Sequence, residues 1–256
     1  MKRASLYLYL AFLSAQAAAL VVGWNLIAAQ VGIVENPSDP YNALFFVAYV
    51  LFSTAVLILL LKFYKGAKLF IIAELFLEFF AVQLAAVLFV SETAALVLAL
   101  AAVALRLLAP RSKGIVLGFG AVVVGALFGA SLDLFPALLF ALLLAGYDYI
   151  AVFKTKHMVA LAQGLQKRGA ELAVTIGYGK DSIQLGTGDL VIPAMLIVSA
   201  AKISLFAAFC GLAGAMLGVT ALIFLLEKRK GYWPALPPLV AGVLVGLAAF
   251  WASTLL

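Results

Sequence analysis

The sequence predicts an all-α membrane protein whose chain crosses the bilayer nine times. Hydrophobic residues make up 67% of its 256 residues and charged residues only 11%, whereas soluble domains are about half apolar and about a quarter charged. The mean hydropathy is +1.21. The apolar residues fall into runs of about 20, the length that a helix needs to cross the hydrocarbon core.

The first predicted helix covers residues 6–28. Lys2 and Arg3 precede it, and the "SAQA" stretch at 14–17 is similar to a signal-peptide cleavage site. The apolar run continues to residue 33, which is longer than the apolar region of a signal peptide, so we expect an uncleaved span. Hydropathy and breaker residues predict the other eight helices at 41–61, 69–90, 93–109, 114–132, 134–153, 188–206, 208–226 and 236–255.

The seventh and eighth helices are predicted by dividing one apolar run, 190–226, in which Lys202 is the one charged residue. A straight helix of that length would measure ~55 Å, against a hydrocarbon core of ~30 Å. We therefore expect a tight turn near residues 206–211.

Basic residues alternate with these helices in a regular way. Of the seventeen Lys and Arg residues, all but Lys202 fall on one side of the nine-helix arrangement. The charged residues of the opposite loops are all acidic. Because basic loops stay in the cytoplasm, we expect a cytoplasmic N-terminus and an extracellular C-terminus. The net charge of +6 comes from these separate clusters, so we expect no nucleic-acid partner.

The chain is predicted to be a single membrane domain, residues 1–256, without a large soluble part. Its longest polar segment is the predicted cytoplasmic loop 154–187. This loop contains "HMVALAQGLQKRGAEL", which is typical of a short amphipathic helix, and then the Gly-rich "GYGKDSIQLGTG", for which we expect a mobile stretch.

Ionisable residues at membrane depth are candidates for function; here they are Glu74, Glu78, Asp148, Asp189 and Lys202. Asp148 lies near the cytoplasmic end of helix six and Asp189 near the cytoplasmic start of helix seven. Because they lie at a similar depth, the two helices could turn the carboxyl groups toward each other. Two carboxyl groups that close cannot both ionise cheaply, so one keeps its proton. Such a pair can activate water against an amide. Alternatively, both aspartates are separate helix-end residues that face water.

The remaining polar residues have simpler interpretations. Glu74 and Glu78 share a helix face. They could form a second carboxylate site or line a water path, but the simpler expectation is that they face the cytoplasmic half of a polar interior or extend toward Lys65 and Lys68. Lys202 is expected to extend to the outer interface. His157 is the one histidine, and the sequence has no HExxH motif, Ser–His pair at membrane depth or complete P-loop. We therefore expect no metal and no cofactor.

Three short motifs follow one another on helices six, seven and nine. They are Tyr147-Asp148, then Gly186-Thr187-Gly188-Asp189, then Pro234-Ala235-Leu236. In this order the chain resembles the presenilin and signal peptide peptidase family of GxGD intramembrane aspartyl proteases.

The resemblance implies that Asp148 and Asp189 are the catalytic pair. It implies supporting or substrate-binding roles for Tyr147, Gly186, Thr187, Gly188, Pro234, Ala235 and Leu236. Helices one to five (1–133) would be a scaffold and residues 134–256 the catalytic part. The substrates would be transmembrane proteins cleaved near the cytoplasmic side of the bilayer.

Within that family the chain is more similar to presenilins. Trp233 replaces the Gln that usually precedes the Pro-Ala-Leu motif in signal peptide peptidases, and the expected cytoplasmic N-terminus matches presenilins. Thr187 stands where Leu is common, which leaves substrate preference open. The long insertion of animal presenilins is missing, so the chain resembles a compact prokaryotic, archaeal-type homologue.

Two other functions stay open on the sequence alone. One is a transporter or channel in which Asp148 and Asp189 bind protons or cations. The other is a prepilin-peptidase-like GxGD protease. The GxxxG pairs at Gly125/Gly129, Gly214/Gly218 and Gly242/Gly246 are expected to pack helices within the bundle, and a homo-oligomer is compatible with them but not implied.

Overall fold

The structure is a computed structural model that describes residues 2–109, 112–155, 157–167, 173–176, 183–228 and 233–254. Ten helices and one hairpin lie in these ranges. In chain order they are α1 (Lys2–Ala28), α2 (Tyr41–Phe63), α3 (Lys68–Val87), α4 (Glu92–Leu108), α5 (Lys113–Ser131), α6 (Leu134–Phe153), α7 (His157–Gln166), β1 (Ala173–Ile176), β2 (Ile183–Gly186), α8 (Thr187–Ala201), α9 (Leu205–Lys228) and α10 (Leu236–Thr254). The predicted all-α class is confirmed.

The nine predicted helices correspond to α1–α6 and α8–α10. Seven helices in the described part of the chain are long and apolar enough to cross a membrane, namely α1, α2, α3, α5, α6, α9 and α10. Helices α4 and α8 have 17 and 15 residues, or ~26 and ~23 Å of helix. Nine crossings therefore remain a prediction.

Helix α8 is the centre of the bundle. All but one of its residues from Leu190 to Ala201 are buried, and it packs against α1, α5, α6, α9 and α10. Because protein rather than lipid surrounds it, the apolar run continues on every face of the helix instead of forming one stripe.

The predicted turn near 206–211 is wrong. Helix α8 ends at Ala201 and α9 begins at Leu205, so the turn comes several residues earlier. Ser204 accepts a hydrogen bond from the Ala207 N–H (3.0 Å) and caps the start of α9. Lys202, in the turn, forms an ion pair that fixes this end of α8.

We call that ion pair and its neighbours the Asp133 cluster: Asp133, Lys202 and Ser38. Lys202 Nζ lies 2.7 Å from Asp133 Oδ1, and the Ser38 hydroxyl donates to Asp133 Oδ2. The Asp133 N–H donates to the carbonyl of Pro37 (3.0 Å). The cluster therefore joins the α1–α2 loop, the start of α6 and the α8–α9 turn at the end of α8 opposite Asp189.

A second group of charges, the Arg106 cluster, consists of Arg106, Glu74 and Glu78. Arg106 of α4 lies 2.7 Å from Glu74 Oε2 and 2.6 Å from Glu78 Oε2, and all three side chains are less than 10% exposed. Of the two simpler expectations, the interior placement of the glutamates agrees with their burial, and the extension toward Lys65 and Lys68 is wrong. The guanidinium of Arg106 is a counter-charge within direct contact of both glutamates, whereas Lys65 and Lys68 lie at or before the start of α3.

The hairpin was also not predicted. Strands β1 and β2 pair antiparallel, with Ala173 opposite Gly186 and Ile176 opposite Ile183, within the segment expected to be a mobile Gly-rich stretch. The amphipathic helix is confirmed as α7 over His157–Gln166. Residues 168–172 and 177–182 lie outside the described residues.

Close helix packing explains the three GxxxG pairs. A Cβ at Gly218 would lie 2.6 Å from the Pro238 carbonyl oxygen, and Gly214 and Gly246 approach the α10 and α9 backbones in the same way. Gly125 and Gly129 pack on α8. The expectation that these pairs pack helices within the bundle is therefore confirmed.

Removing the cation of the Arg106 cluster should be costly. We expect Arg106→Met to lower the free energy of unfolding by about 3–5 kcal/mol, because two buried carboxylates then face each other without a counter-charge. The triple variant Glu74→Gln/Glu78→Gln/Arg106→Met should be closer to wild type. Unfolding in detergent measures both, and an unchanged single variant would contradict the prediction.

The Asp133 cluster should depend on pH. The hydrogen bonds from Lys202 and then Ser38 hold the pKa of the Asp133 carboxyl below its ordinary 3.8. Its stabilising contribution is therefore full above pH 3.8 and is lost as the pH falls through the lowered pKa. Thermal midpoints of wild type and Asp133→Asn should differ at pH 7 and converge in acid. Asp39→Asn, in the same loop region, serves as the control.

Candidate active site

Helix α6 carries Asp148 about one turn before its C-terminal end. The carboxylate Oδ2 accepts a hydrogen bond from the backbone N–H of Leu236 (3.3 Å), the first residue of α10. The first N–H groups of a helix have no partner within the helix and carry the positive end of its dipole. The start of α10 therefore binds and orients one oxygen of Asp148.

Helix α8 carries Asp189 in its first turn. Gly186, in extended conformation, is the N-cap of α8 and the last residue of β2. Its N–H donates to Asp189 Oδ2 (3.0 Å), which is the arrangement in which an acidic residue at the third helical position reaches back to the cap. Since no residue separates the strand from the helix, the hairpin sets the direction of the Asp189 side chain.

The two aspartates lie on helices that pack against each other and against α10. Both side chains are partly buried, and they are close enough for the charge of Asp148 to act on Asp189. Each uses one carboxylate oxygen on a backbone N–H from a different element. Both carboxyl groups therefore lie at the same end of the bundle, and their pairing in catalysis stays a prediction.

The other residues of the three motifs surround this pair in different ways. Pro234, Ala235 and Leu236 are buried, and they lead into α10, whose first N–H binds Asp148. Tyr147 makes a hydrogen bond through its hydroxyl with Thr54 of α2, which ties α6 to α2. Trp233 packs edge-on against Phe153 (5.4 Å between ring centres).

Gly186, Thr187 and Gly188 differ in the space around them. A Cβ at Gly186 would lie 2.9 Å from Asp189 Oδ2, whereas a Cβ at Gly188 would have no neighbour within 4 Å. Gly186 is therefore needed for close approach to the carboxylate. Thr187 is the first residue of α8.

The remaining candidates lie elsewhere. The Arg106 cluster is on α3 and α4, Lys202 is at the far end of α8, and the His157 side chain lies outside the described residues. Within the described ranges, no group of three His, Cys, Asp or Glu residues is placed to hold a metal.

An apolar groove lies between α6 and α10. Its volume is about 290 Å³, and its lining includes Ala145, Gly146, Tyr149, Pro237 and Val240. Gly146 and Tyr149 are on the same helix as Asp148, two residues before it and one after it. The groove therefore lies at the level of Asp148 on α6, although the lining does not include the aspartate.

Sequence reasoning missed two features of α8 near Asp189, the contact of Gln16 and the internal Pro193, and it named Gly125 only as part of a GxxxG pair. Gly125 packs so closely on α8 that a Cβ there would lie 2.6 Å from the Val191 carbonyl oxygen. Gln16 of α1 donates to the Leu190 carbonyl (3.3 Å), and Pro193 lies within α8. The available signals were a lone amide in the apolar run of α1 and a proline four residues after Asp189.

Comparison with known proteins connects this geometry to a family. A family model for signal-peptide peptidase and presenilin aspartyl proteases matches residues 10–176, a range that includes Asp148 and ends before Asp189. Two solved structures, each described as a presenilin family intramembrane aspartate protease, are similar over the whole bundle. One shares 26% identity over 95% of both chains with a TM-score of 0.70, and the other 27% over 96% of both with 0.71. Comparison with curated proteins gave no match.

The packing of α5 on α8 should be more sensitive than other glycine contacts of α5. We expect Gly125→Ala to destabilise the fold by about 1–3 kcal/mol, because the methyl group would overlap the Val191 carbonyl and the Ala194 side chain. It should also lower proteolytic activity, since α8 carries Asp189. Gly120→Ala is the matched control, because its Cβ would meet Ala81 at an ordinary 3.7 Å. Equal thermal midpoints for the two variants would contradict the prediction.

Proposed function

Because the chain belongs to the signal-peptide peptidase and presenilin family of aspartyl proteases, we propose that it hydrolyses peptide bonds of transmembrane helices with water activated by Asp148 and Asp189. The observation that carries this proposal is that the two carboxylates lie near each other on helices that pack together. They come from α6 and α8, and each has one oxygen bound by a backbone N–H.

The proposed reaction needs the pair to hold one proton. The ionised carboxylate takes a proton from water while the oxygen of that water adds to the amide carbon. The other aspartic acid gives its proton to the carbonyl oxygen, which forms a gem-diol. A proton then passes to the amide nitrogen, the C–N bond breaks, and the products are an acid and an amine. Donation from Leu236 and Gly186 holds Oδ2 of each carboxylate, which leaves Oδ1 of each for the exchange of protons in this step.

A substrate helix must unwind before its carbonyl can be attacked, since the helical hydrogen bonds shield the backbone. We assign lateral entry to the apolar groove between α6 and α10, which lies at the level of Asp148 on α6. Strands β1 and β2 form a two-stranded sheet, so among the described residues each has an edge without a strand partner. An unwound substrate segment can pair along such an edge, or along the Pro-Ala-Leu segment, beside Asp189.

The substrate class follows from the orientation of the chain. The distribution of Lys and Arg places the N-terminus in the cytoplasm and Asp148 and Asp189 near the cytoplasmic face. With this presenilin-like orientation, the substrates are membrane proteins whose C-terminus lies toward the cytoplasm. The nine-span arrangement and the extracellular C-terminus are part of the same proposal.

A division of labour between the two parts of the chain completes the proposal. Residues 134–256 contribute Asp148, Asp189 and the Pro-Ala-Leu segment, and residues 1–133 support them. The support is direct, because α1 and α5 pack against α8. Family membership favours hydrolysis over transport by these aspartates, and the structural relatives are presenilin-type rather than prepilin-peptidase-type.

Conversion of either aspartate to asparagine should abolish cleavage. We expect Asp148→Asn and Asp189→Asn each to lower cleavage of a single-span substrate at least ~100-fold, because the acid–base step is lost while the size of the side chain is kept. Purified protein in detergent, with the product identified by mass spectrometry, gives the measurement.

Asp39→Asn, on the α1–α2 loop, is the matched control and should cleave at the wild-type rate. Equal cleavage by wild type and both active-site variants would show a contaminating protease and contradict the assignment.

A further inference from the structure

Gln16 is the buried polar side chain of α1 whose presence packing does not explain. Its side chain is fully buried (0% exposed), and its Nε2 makes one hydrogen bond, to the Leu190 carbonyl at 3.3 Å. Its Oε1 is buried without a hydrogen-bond partner among the described residues. A half-satisfied buried amide costs more than an apolar side chain of the same size, so fold stability alone does not favour Gln at this position.

The hydrogen bond from Gln16 ends at the backbone of α8, next to Asp189. Leu190 directly follows Asp189 in the first turn of α8. Pro193 lies in the next turn, and because proline has no N–H, the carbonyl of Asp189 lacks its usual donor within the helix. Proline also opens the preceding turn by contact with that carbonyl. In a membrane helix, neighbouring helices must supply donors to carbonyls freed in this way.

The hydrogen bond from Gln16 reaches the next carbonyl along the helix, that of Leu190, rather than the Asp189 carbonyl itself. It therefore braces, from α1, the turn that the proline opens. The first turn of α8 is fixed from two sides: the Gly186 N–H binds the Asp189 carboxylate (3.0 Å), and Gln16 binds the backbone one residue further on. Without Gln16, the hydrogen bond from Gly186 and the helical bonds, weakened by the proline, are left to hold this turn.

We propose that Gln16 is a positioning residue for Asp189: its carboxamide anchors the opened first turn of α8 and so sets the direction of the Asp189 carboxylate toward Asp148. Gln16 acts through the backbone and takes no part in the chemistry. This role rests on the proposed proteolytic function for its effect on catalysis, but the anchoring itself is a property of the fold.

Gln16→Met is the direct test, because methionine keeps the length of the side chain and removes the donor. Hydrogen–deuterium exchange of the intact protein in nanodiscs should increase in residues 187–194 and stay unchanged in α9. The kcat for a transmembrane substrate should fall about 10- to 100-fold, as expected for a small misplacement of a reacting group, with KM within about twofold.

Gln83→Met is the matched control, since Gln83 is a partly buried glutamine of α3 and should change neither quantity. Gln16→Glu provides the second variant. Its protonated form can donate an O–H to Leu190 and its ionised form cannot, so the ratio of its kcat to that of wild type should rise as the pH is lowered. If Gln16→Met fails to fold, this ratio still decides.

Unchanged exchange at residues 187–194, or unchanged kcat in Gln16→Met, would overturn the proposal, and so would a Gln16→Glu ratio independent of pH. A wild-type protein that cleaves no transmembrane substrate would refute the proposed function instead. In that case the exchange result alone decides whether Gln16 anchors α8.

Discussion

The backbone of α8 lies against the backbone of α5, with only glycine hydrogens between them at Gly125 and Gly129. Such an approach excludes lipid and water from the whole length of the contact. It allows a helix of 15 residues to stand inside the bundle, surrounded by α1, α6, α9 and α10. The position of α8 therefore determines the depth of Asp189, and the packing of α6 on α8 determines where Asp148 lies relative to it. Helices α1, α9 and α10 pack around the same central helix.

Two clusters of ion pairs also hold helices in place around α8. The Asp133 cluster holds the C-terminal end of α8 to the start of α6 and to the α1–α2 loop. The Arg106 cluster joins α3 to α4 at a site that lipid would otherwise surround. Buried ion pairs contribute little net stability, but they have few alternative partners in hydrocarbon. These clusters therefore specify which helices are neighbours, while apolar contacts and glycines determine how closely they approach.

Much of this arrangement could be predicted from the sequence, because hydropathy and Lys/Arg distribution act over whole helices. The positions of most helices, and the location of Asp148 and Asp189 near one end of the bundle, needed only the number of turns between charged residues. The α8–α9 turn was misplaced because an apolar run gives no periodic signal when every face of the helix is buried. Ser204 was the local cap that could have located it.

Which side chains form ion pairs or hydrogen bonds with one another could not be predicted from hydropathy or charge distribution. Arg106 is near the end of its helix in sequence, where a basic residue ordinarily faces water, and only the packing of α3 on α4 shows that Glu74 and Glu78 bind it. The hairpin was missed because two strands of four residues lie among glycines that suggest a loop. Gln16 was missed because an isolated amide carries no pattern, and its importance depends on Pro193 in another helix.

The shortness of α8 has a consequence for how the chain fits a bilayer. At ~23 Å the helix is shorter than the hydrocarbon core of ~30 Å, but protein rather than lipid surrounds it. The longer apolar helices around it, α1, α5, α6, α9 and α10, supply the lengths that match a membrane. The two ends of α8 can therefore lie where the hairpin and the Asp133 cluster hold them, and the depth of Asp189 is set by protein contacts rather than by hydrophobic matching of its own helix to the lipid.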